Sequence, residues 1–263
     1  MRVILLGTGG STGVPFIGGT DGTGNWGACD PREPRNRRSR ASIVVQSDTG
    51  ERLLVDTSPE LRTQLVDCRV PRIDALLFTH SHADHVVGLD DVRLINRILD
   101  RPLEAFASKA TLEELQHRFS YAFRPWQPPG FFRPVLEPRE VSPGETIETA
   151  GMQVHLFEQD HGFTKSLGLR IGRFAYSTDV VRLDDEALAA LDGVDTWVVG
   201  CFLRRGPHRT HADLPQVLAW RDRIRPRRTI LTHMGTDMDW AWLRANLPAD
   251  VEPGHDGMAF DLT

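Results

Sequence analysis

The segment Leu76-Leu-Phe-Thr-His80-Ser-His82-Ala-Asp84-His85 restricts this chain more than any other. An apolar run of strand character ends, and four side chains able to ligate a metal follow within six residues. The turn lets His80 and His82 point to one side of the strand end. Asp84 and His85 fall at the start of a helix predicted over Val86–Leu99. Two ligand pairs from one loop can address two cations about 3.5–4 Å apart, the separation two-metal hydrolysis needs. A single histidine more often has a structural role, but three histidines and an aspartate in this window favour metal binding.

One loop cannot fill two coordination shells, so further ligands must come from elsewhere. Three later apolar runs end in suitable residues: Phe157 to His161, Tyr176 to Asp179, and Ile230 to His233. Each polar residue stands where a strand delivers a side chain to a sheet edge. The order matches a dinuclear site assembled from strand ends.

The rest of the chain is consistent with one layered α/β domain over residues 1–263. Short β-branched or apolar runs predict strands at Val3–Leu6, Ser42–Gln46, Arg52–Asp56, Ala75–Phe78, Leu103–Ala107, Met152–Phe157, Leu167–Ile171, Phe174–Ser177, Thr196–Gly200 and Thr229–Thr232. Helices are predicted at Pro59–Val66, Val86–Leu99, Thr111–Phe123, Asp184–Leu191 and Pro215–Ile224. Gly7, Gly9, Gly10 and Gly13 could bring backbone N–H groups up to an anion, or form a mobile surface loop. Residues 32–40 and 221–228 each hold five arginines, read as solvated faces with phosphate contact as the alternative. The stretch from Phe123 to Pro138 is too rich in proline for a regular helix.

A net charge of −5 argues against wholesale nucleic-acid binding, and three scattered cysteines imply no disulfide framework. With no apolar stretch of spanning length and too short an apolar run at the N-terminus for a signal peptide, the expected compartment is the cytoplasm.

The His-x-His-x-Asp-His motif, followed by His161, Asp179 and His233, resembles the signature of the metallo-β-lactamase superfamily. The resemblance covers nearly the whole chain and implies an αββα sandwich. It implies that His80, His82 and His161 hold one metal and Asp84, His85 and His233 a second, with Asp179 bridging them. Two divalent ions are then expected, zinc suiting the histidines and manganese the carboxylates. The opening Leu6-Gly-Thr-Gly-Gly-Ser-Thr-Gly-Val-Pro15 is similar to the phosphodiesterase branch, closest to its cyclic phosphodiesterase, with Ser11 and Thr12 as implied substrate contacts. The tRNA 3′-processing endonucleases of that branch carry an arm between the ligands matching His161 and Asp179; 18 residues leave no room for one here. The cyclic phosphodiesterase carries a structural zinc on several cysteines and a histidine. Here Cys29 is the lone cysteine of that region and Thr236 stands at the histidine's position, so that zinc is not expected.

The segment Arg205-Gly-Pro-His208-Arg-Thr-His211 is similar to the family's histidine-containing segment, which makes His211 the candidate general acid and His208 its alternative or a phosphate contact. Asp84 counts among the catalytic candidates as well as the ligands. The expected function is hydrolysis of a small cyclic phosphate or nucleotide phosphodiester by a hydroxide bridging two metals. The alternatives are a thioester or lactone hydrolase, or a nuclease like the tRNA-processing enzymes. The expected partner is a small phosphorylated substrate or nucleotide, with no membrane and no stable nucleic-acid complex; the resemblance also suggests a homodimer.

Overall fold

The computed structural model describes residues 1–262. The amino-terminal part supplies β1 (Arg2–Gly7), β2 (Ser42–Gln46), β3 (Arg52–Val55), β4 (Ala75–Leu77), β5 (Leu103–Ala107) and β6 (Leu136–Glu140), side by side in one sheet. The second sheet holds β7 (Thr146–Thr149), β8 (Met152–Asp160), β9 (Lys165–Ile171), β10 (Phe174–Ser177), β11 (Thr196–Gly200), β12 (Arg228–Thr232) and β13 (Val251–Pro253). The chain then returns in β14 (Ala259–Asp261), which pairs antiparallel with β1 and gives each sheet seven strands.

Helices α1 (Leu61–Asp67), α2 (Ala83–Val86), α3 (Val92–Leu99) and α4 (Lys109–Arg118) accompany the first sheet. Helices α5 (Asp185–Ala190), α6 (Leu214–Ile224) and α7 (Trp240–Asn246) accompany the second. Strand alternation splits each apolar run between two cores. Val3, Leu5, Val45, Leu53, Val154, Leu169 and Tyr176 fill the space between the sheets. Ile4, Leu6, Val44, Leu54 and Leu76 pack outward on Leu61, Val92, Ile95 and Leu115. Trp197, Val199 and Leu231 pack outward on Leu188, Val217 and Leu243. Burial on both faces explains why these strands read as continuous apolar runs. This is an αββα sandwich.

Strands β3 to β6 run parallel, as do β10 to β13, and β8 shares the direction of β10 through two antiparallel steps. Their carboxyl ends meet at one edge of the sandwich, where ligands bind in α/β sheets.

Two predicted elements change, and five observed ones were not predicted. The helix predicted over Val86–Leu99 is three pieces: α2, a 3-10 segment from Val87 to Asp91, and α3. Gly88 lies in that 3-10 segment and packs closely, since a Cβ there would lie 1.9 Å from the Ser58 carbonyl oxygen. The helix predicted over Thr111–Phe123 ends at Arg118 and continues as a 3-10 turn over Ser120–Phe123. Strands β6, β7, β13 and β14 and helix α7 were not predicted; they are short or lie at sheet edges, where the apolar pattern fades. Pro138 is tolerated in β6 because that strand lies at an edge.

Candidate metal centre

The centre is built at the shared strand edge. His80 follows β4, and His82 caps α2, whose first turns carry Asp84 and His85. His161 follows β8, Asp179 follows β10 and His233 follows β12. Asp179 and His233 have left-handed backbones, at φ 41° and 53°.

The ligand atoms of His80, His82, His161 and Asp179 lie within 4.8 Å of one another, as do those of Asp84, His85 and His233. Asp179 joins the two groups. Its Oδ1 faces His161 Nε2 at 3.5 Å and His80 Nε2 at 3.9 Å. Its Oδ2 faces His85 Nε2 at 3.0 Å and His233 Nε2 at 3.3 Å. Asp84 Oδ2 closes the second group, 3.2 Å from His85 Nε2 and 3.5 Å from His233 Nε2. The structure thus brings together all seven residues singled out in the sequence, in the two expected sets.

The donor set fits divalent cations. Nε2 of His80, His85 and His233 is buried with no hydrogen-bond partner, and all three face the Asp179 carboxylate. Burying such nitrogens without a partner is costly unless they ligate something. Burial alone would push the Asp179 carboxyl up, yet His233 and His85 hold it well below the usual range. Asp84 behaves likewise and stays ionised, with His85 and His233 opposing its burial. Burial pushes His80 well below the usual imidazole value, the charge of His85 adding to it. Burial would lower His85 too, but the carboxylates of Asp179, Asp84 and Asp56 overturn it and raise its pKa well above the usual imidazole value.

A surrounding shell orients the rings. Asp56, fully buried and left-handed at φ 65°, lies 2.7 Å from His85 Nδ1. It accepts from the Thr79 N–H and hydroxyl, both at 2.8 Å, and that hydroxyl meets His80 Nδ1 at 3.0 Å. His161 Nδ1 lies 2.7 Å from the Thr210 carbonyl oxygen. Partners of this kind fix the tautomer and direction of a ligating imidazole. Asp56 was read only as the last residue of a strand. The available signal was the pattern shared with Asp179, a carboxylate just past an apolar run.

His211 stacks on His233 with centroids 4.8 Å apart, and its Nδ1 lies 3.7 Å from Asp179 Oδ1. Burial, with His233 adding, pushes its pKa down to about 3. His208 is exposed, with its ring 5.0 Å from that of His211. Phe202, not singled out in the sequence, packs against both rings at 5.2 and 4.9 Å. Ser11 and Thr12 form an exposed turn following Gly10, where a Cβ would collide with Phe202 at 2.7 Å.

The glycine-rich segment does not cradle an outside anion with the N–H groups of Thr8, Gly9, Gly10 and Gly13. Thr8 donates through N–H and hydroxyl to Asp256 Oδ1, and Ser39 does the same to Oδ2. The N–H groups of Gly9, Gly10 and Gly13 go to the carbonyls of Ser39, Met234 and Gly10. The anion here is the protein's own Asp256. The first arginine run is not wholly solvated either: Arg38 is 2% exposed and lies against Cys29.

The beta-lactamase superfamily domain is matched over residues 51–234. A crystal structure of a new diphosphatase from the PhnP family superposes with a TM-score of 0.88 at 32% identity, covering 100% of this chain and 98% of that one. The octanoyltransferase of Porphyromonas gingivalis is 32% identical over 260 residues, 98% of this chain but 51% of that protein. The chain therefore spans about half the length of that relative. The anti-Pycsar protein Apyc1 of Paenibacillus harenae is 29% identical over 205 residues, covering 70% of this chain and 77% of that protein. Among the described residues, no helix is long and apolar enough to cross a membrane.

Proposed function

Because the chain belongs to the metallo-β-lactamase superfamily and is a metal-dependent hydrolase, we propose that it hydrolyses small phosphodiesters, cyclic phosphates or nucleotide phosphodiesters, at a pair of divalent cations. The observation that carries this reading is the division of the Asp179 carboxylate, one oxygen facing each histidine set. A single-cation site would have no use for a carboxylate buried between two groups of open ligands. The likeness to a PhnP-family diphosphatase supports a phosphorus centre over a thioester or lactone.

His80, His82 and His161 would hold one cation, Asp84, His85 and His233 the other, and Asp179 both. Zinc or manganese there supplies Lewis acidity and a water of lowered pKa. The protein's own groups do the rest. Ser11, Thr12 and His208 stand exposed and are assigned to the phosphate. His211 is assigned the proton transfer to the departing oxygen. An anionic phosphate beside its ring would oppose the depression that burial imposes.

The test is turnover by zinc- or manganese-loaded protein of bis-(p-nitrophenyl) phosphate, 2′,3′-cyclic nucleotides, a dinucleoside diphosphate and a thioester. Turnover of the phosphodiesters well above the thioester is expected. Thioester turnover alone would overturn the proposal, and a preference for the dinucleoside diphosphate would move it to the phosphoanhydride bond.

A further inference from the structure

His233 is held differently from the other buried imidazoles of the centre. His85 Nδ1 meets Asp56, His80 Nδ1 meets the Thr79 hydroxyl and His161 Nδ1 meets the Thr210 carbonyl. Neither ring nitrogen of His233 has a hydrogen-bond partner. Its ring stacks between those of His211 and His85, and its backbone is left-handed. That backbone must be held from both sides. Upstream, β12 holds it as far as Thr232. Downstream, Met234 donates to the Thr8 carbonyl and accepts from Gly10, and the chain then turns, Met238 N–H bonding the Gly235 carbonyl.

The carbonyls at the two ends of that turn receive the same side chain. Arg38 donates through Nη2 to the Met238 carbonyl at 2.7 Å and through Nη1 to the Gly235 carbonyl at 3.4 Å. Its fork also reaches Asn36 Oδ1 at 3.3 Å and Cys29 Sγ at 3.9 Å. Among the described residues no carboxylate lies within 4.0 Å of this guanidinium. Asn36 extends the network, accepting from Trp240 N–H at 2.8 Å and donating to Asp239 Oδ2 at 2.7 Å. A desolvated guanidinium with no carboxylate in direct contact is costly; the neutral acceptors of Nη1 and Nη2 offset part of that cost, while Nε has no partner. A lysine could not span the two carbonyls, because its ammonium is a point and not a fork.

We propose that Arg38 is a positioning residue for His233, clamping the 235–238 turn to the 29–38 lobe and so setting the imidazole in the pocket it shares with Asp84 and His85. The inference rests on the reading of that pocket as the second cation site. Arg38→Lys keeps the charge and loses the clamp. In metal-free protein, the His233 ring signals in nitrogen-proton NMR shift or broaden while those of His80 and His161 stay in place. In zinc titrations, the weaker of the two dissociation constants rises about tenfold while the tighter stays within twofold. Millimolar guanidinium added to Arg38→Ala restores both readouts. Unchanged His233 signals and constants overturn the inference; so do equal shifts of all the imidazoles with both constants weakened together, the mark of general loosening. Should Arg38→Lys not fold, Asn36→Ala, which removes one of the fork's acceptors, is read by the same two measurements. A wild-type protein that binds one equivalent of zinc overturns the two-cation reading, and the metal-free NMR still decides the role of Arg38.

Discussion

Around Asp179, buried imidazole nitrogens have no hydrogen-bond partner, whereas in the neighbouring lobe from Trp26 to Arg38 the side chains of Asn36 and Arg38 find partners within the chain, Arg38 Nε excepted. At the centre, Nε2 of His80, His85 and His233 stays open. In the lobe, Asn36, Arg38 and Asp239 bond one another or nearby backbone. A cluster of open imidazole nitrogens facing carboxylates is ligand capacity; a scattered unpaired hydroxyl, such as that of Thr149 or Thr229, is not. Closed buried polarity is scaffold. The first can be emptied of function by one substitution; the second transmits its effect through position.

The largest effect is expected at the junction of the open set. Asp179→Ala should weaken both cations and lower kcat/KM by at least about 10⁴-fold, since it removes the one ligand the two sets share. Full turnover with both cations retained would break the distinction at its root. His211→Ala should cost about 10²–10⁴-fold on substrates with alkoxide leaving groups. It should cost far less on bis-(p-nitrophenyl) phosphate, whose leaving group needs no proton. Equal losses on both would make His211 a packing residue. Asp56→Asn should weaken cation affinity or activity by about 10–100-fold, as loss of an outer hydrogen bond to a ligating imidazole does. Asp256→Ala belongs wholly to the closed set. It strands four donors of Thr8 and Ser39, should cost about 3 kcal/mol and should lower Tm by roughly 6–12 °C. Cation stoichiometry should not change in that variant, and a lost cation would mean the two sets are not separable.

The difference between the regions also explains what could be read from the sequence. The open centre was legible because its ligands must be histidine or aspartate and must follow strands, so residue type and local pattern coincide at His80, Asp179 and His233. The two-sheet architecture was legible for the same reason, its buried strands being continuous apolar runs. The closed lobe was not. Nothing local distinguishes Arg38 from Arg37, yet one is buried and the other exposed. The fate of Arg38 depends on carbonyls of Gly235 and Met238, some two hundred residues away in the chain. The partners of Asp256 were hidden likewise, because they are backbone N–H groups and hydroxyls that any sequence supplies. The short edge strands β13 and β14 escaped because three residues carry too little pattern to mark a strand.

The central claim is that one carboxylate divides two cation sites. Anomalous diffraction at the zinc edge, on crystals of the loaded protein, tests it most directly. The account predicts two peaks about 3.5–4 Å apart, one beside each oxygen of Asp179. A single peak, or two peaks that do not share Asp179, would contradict it.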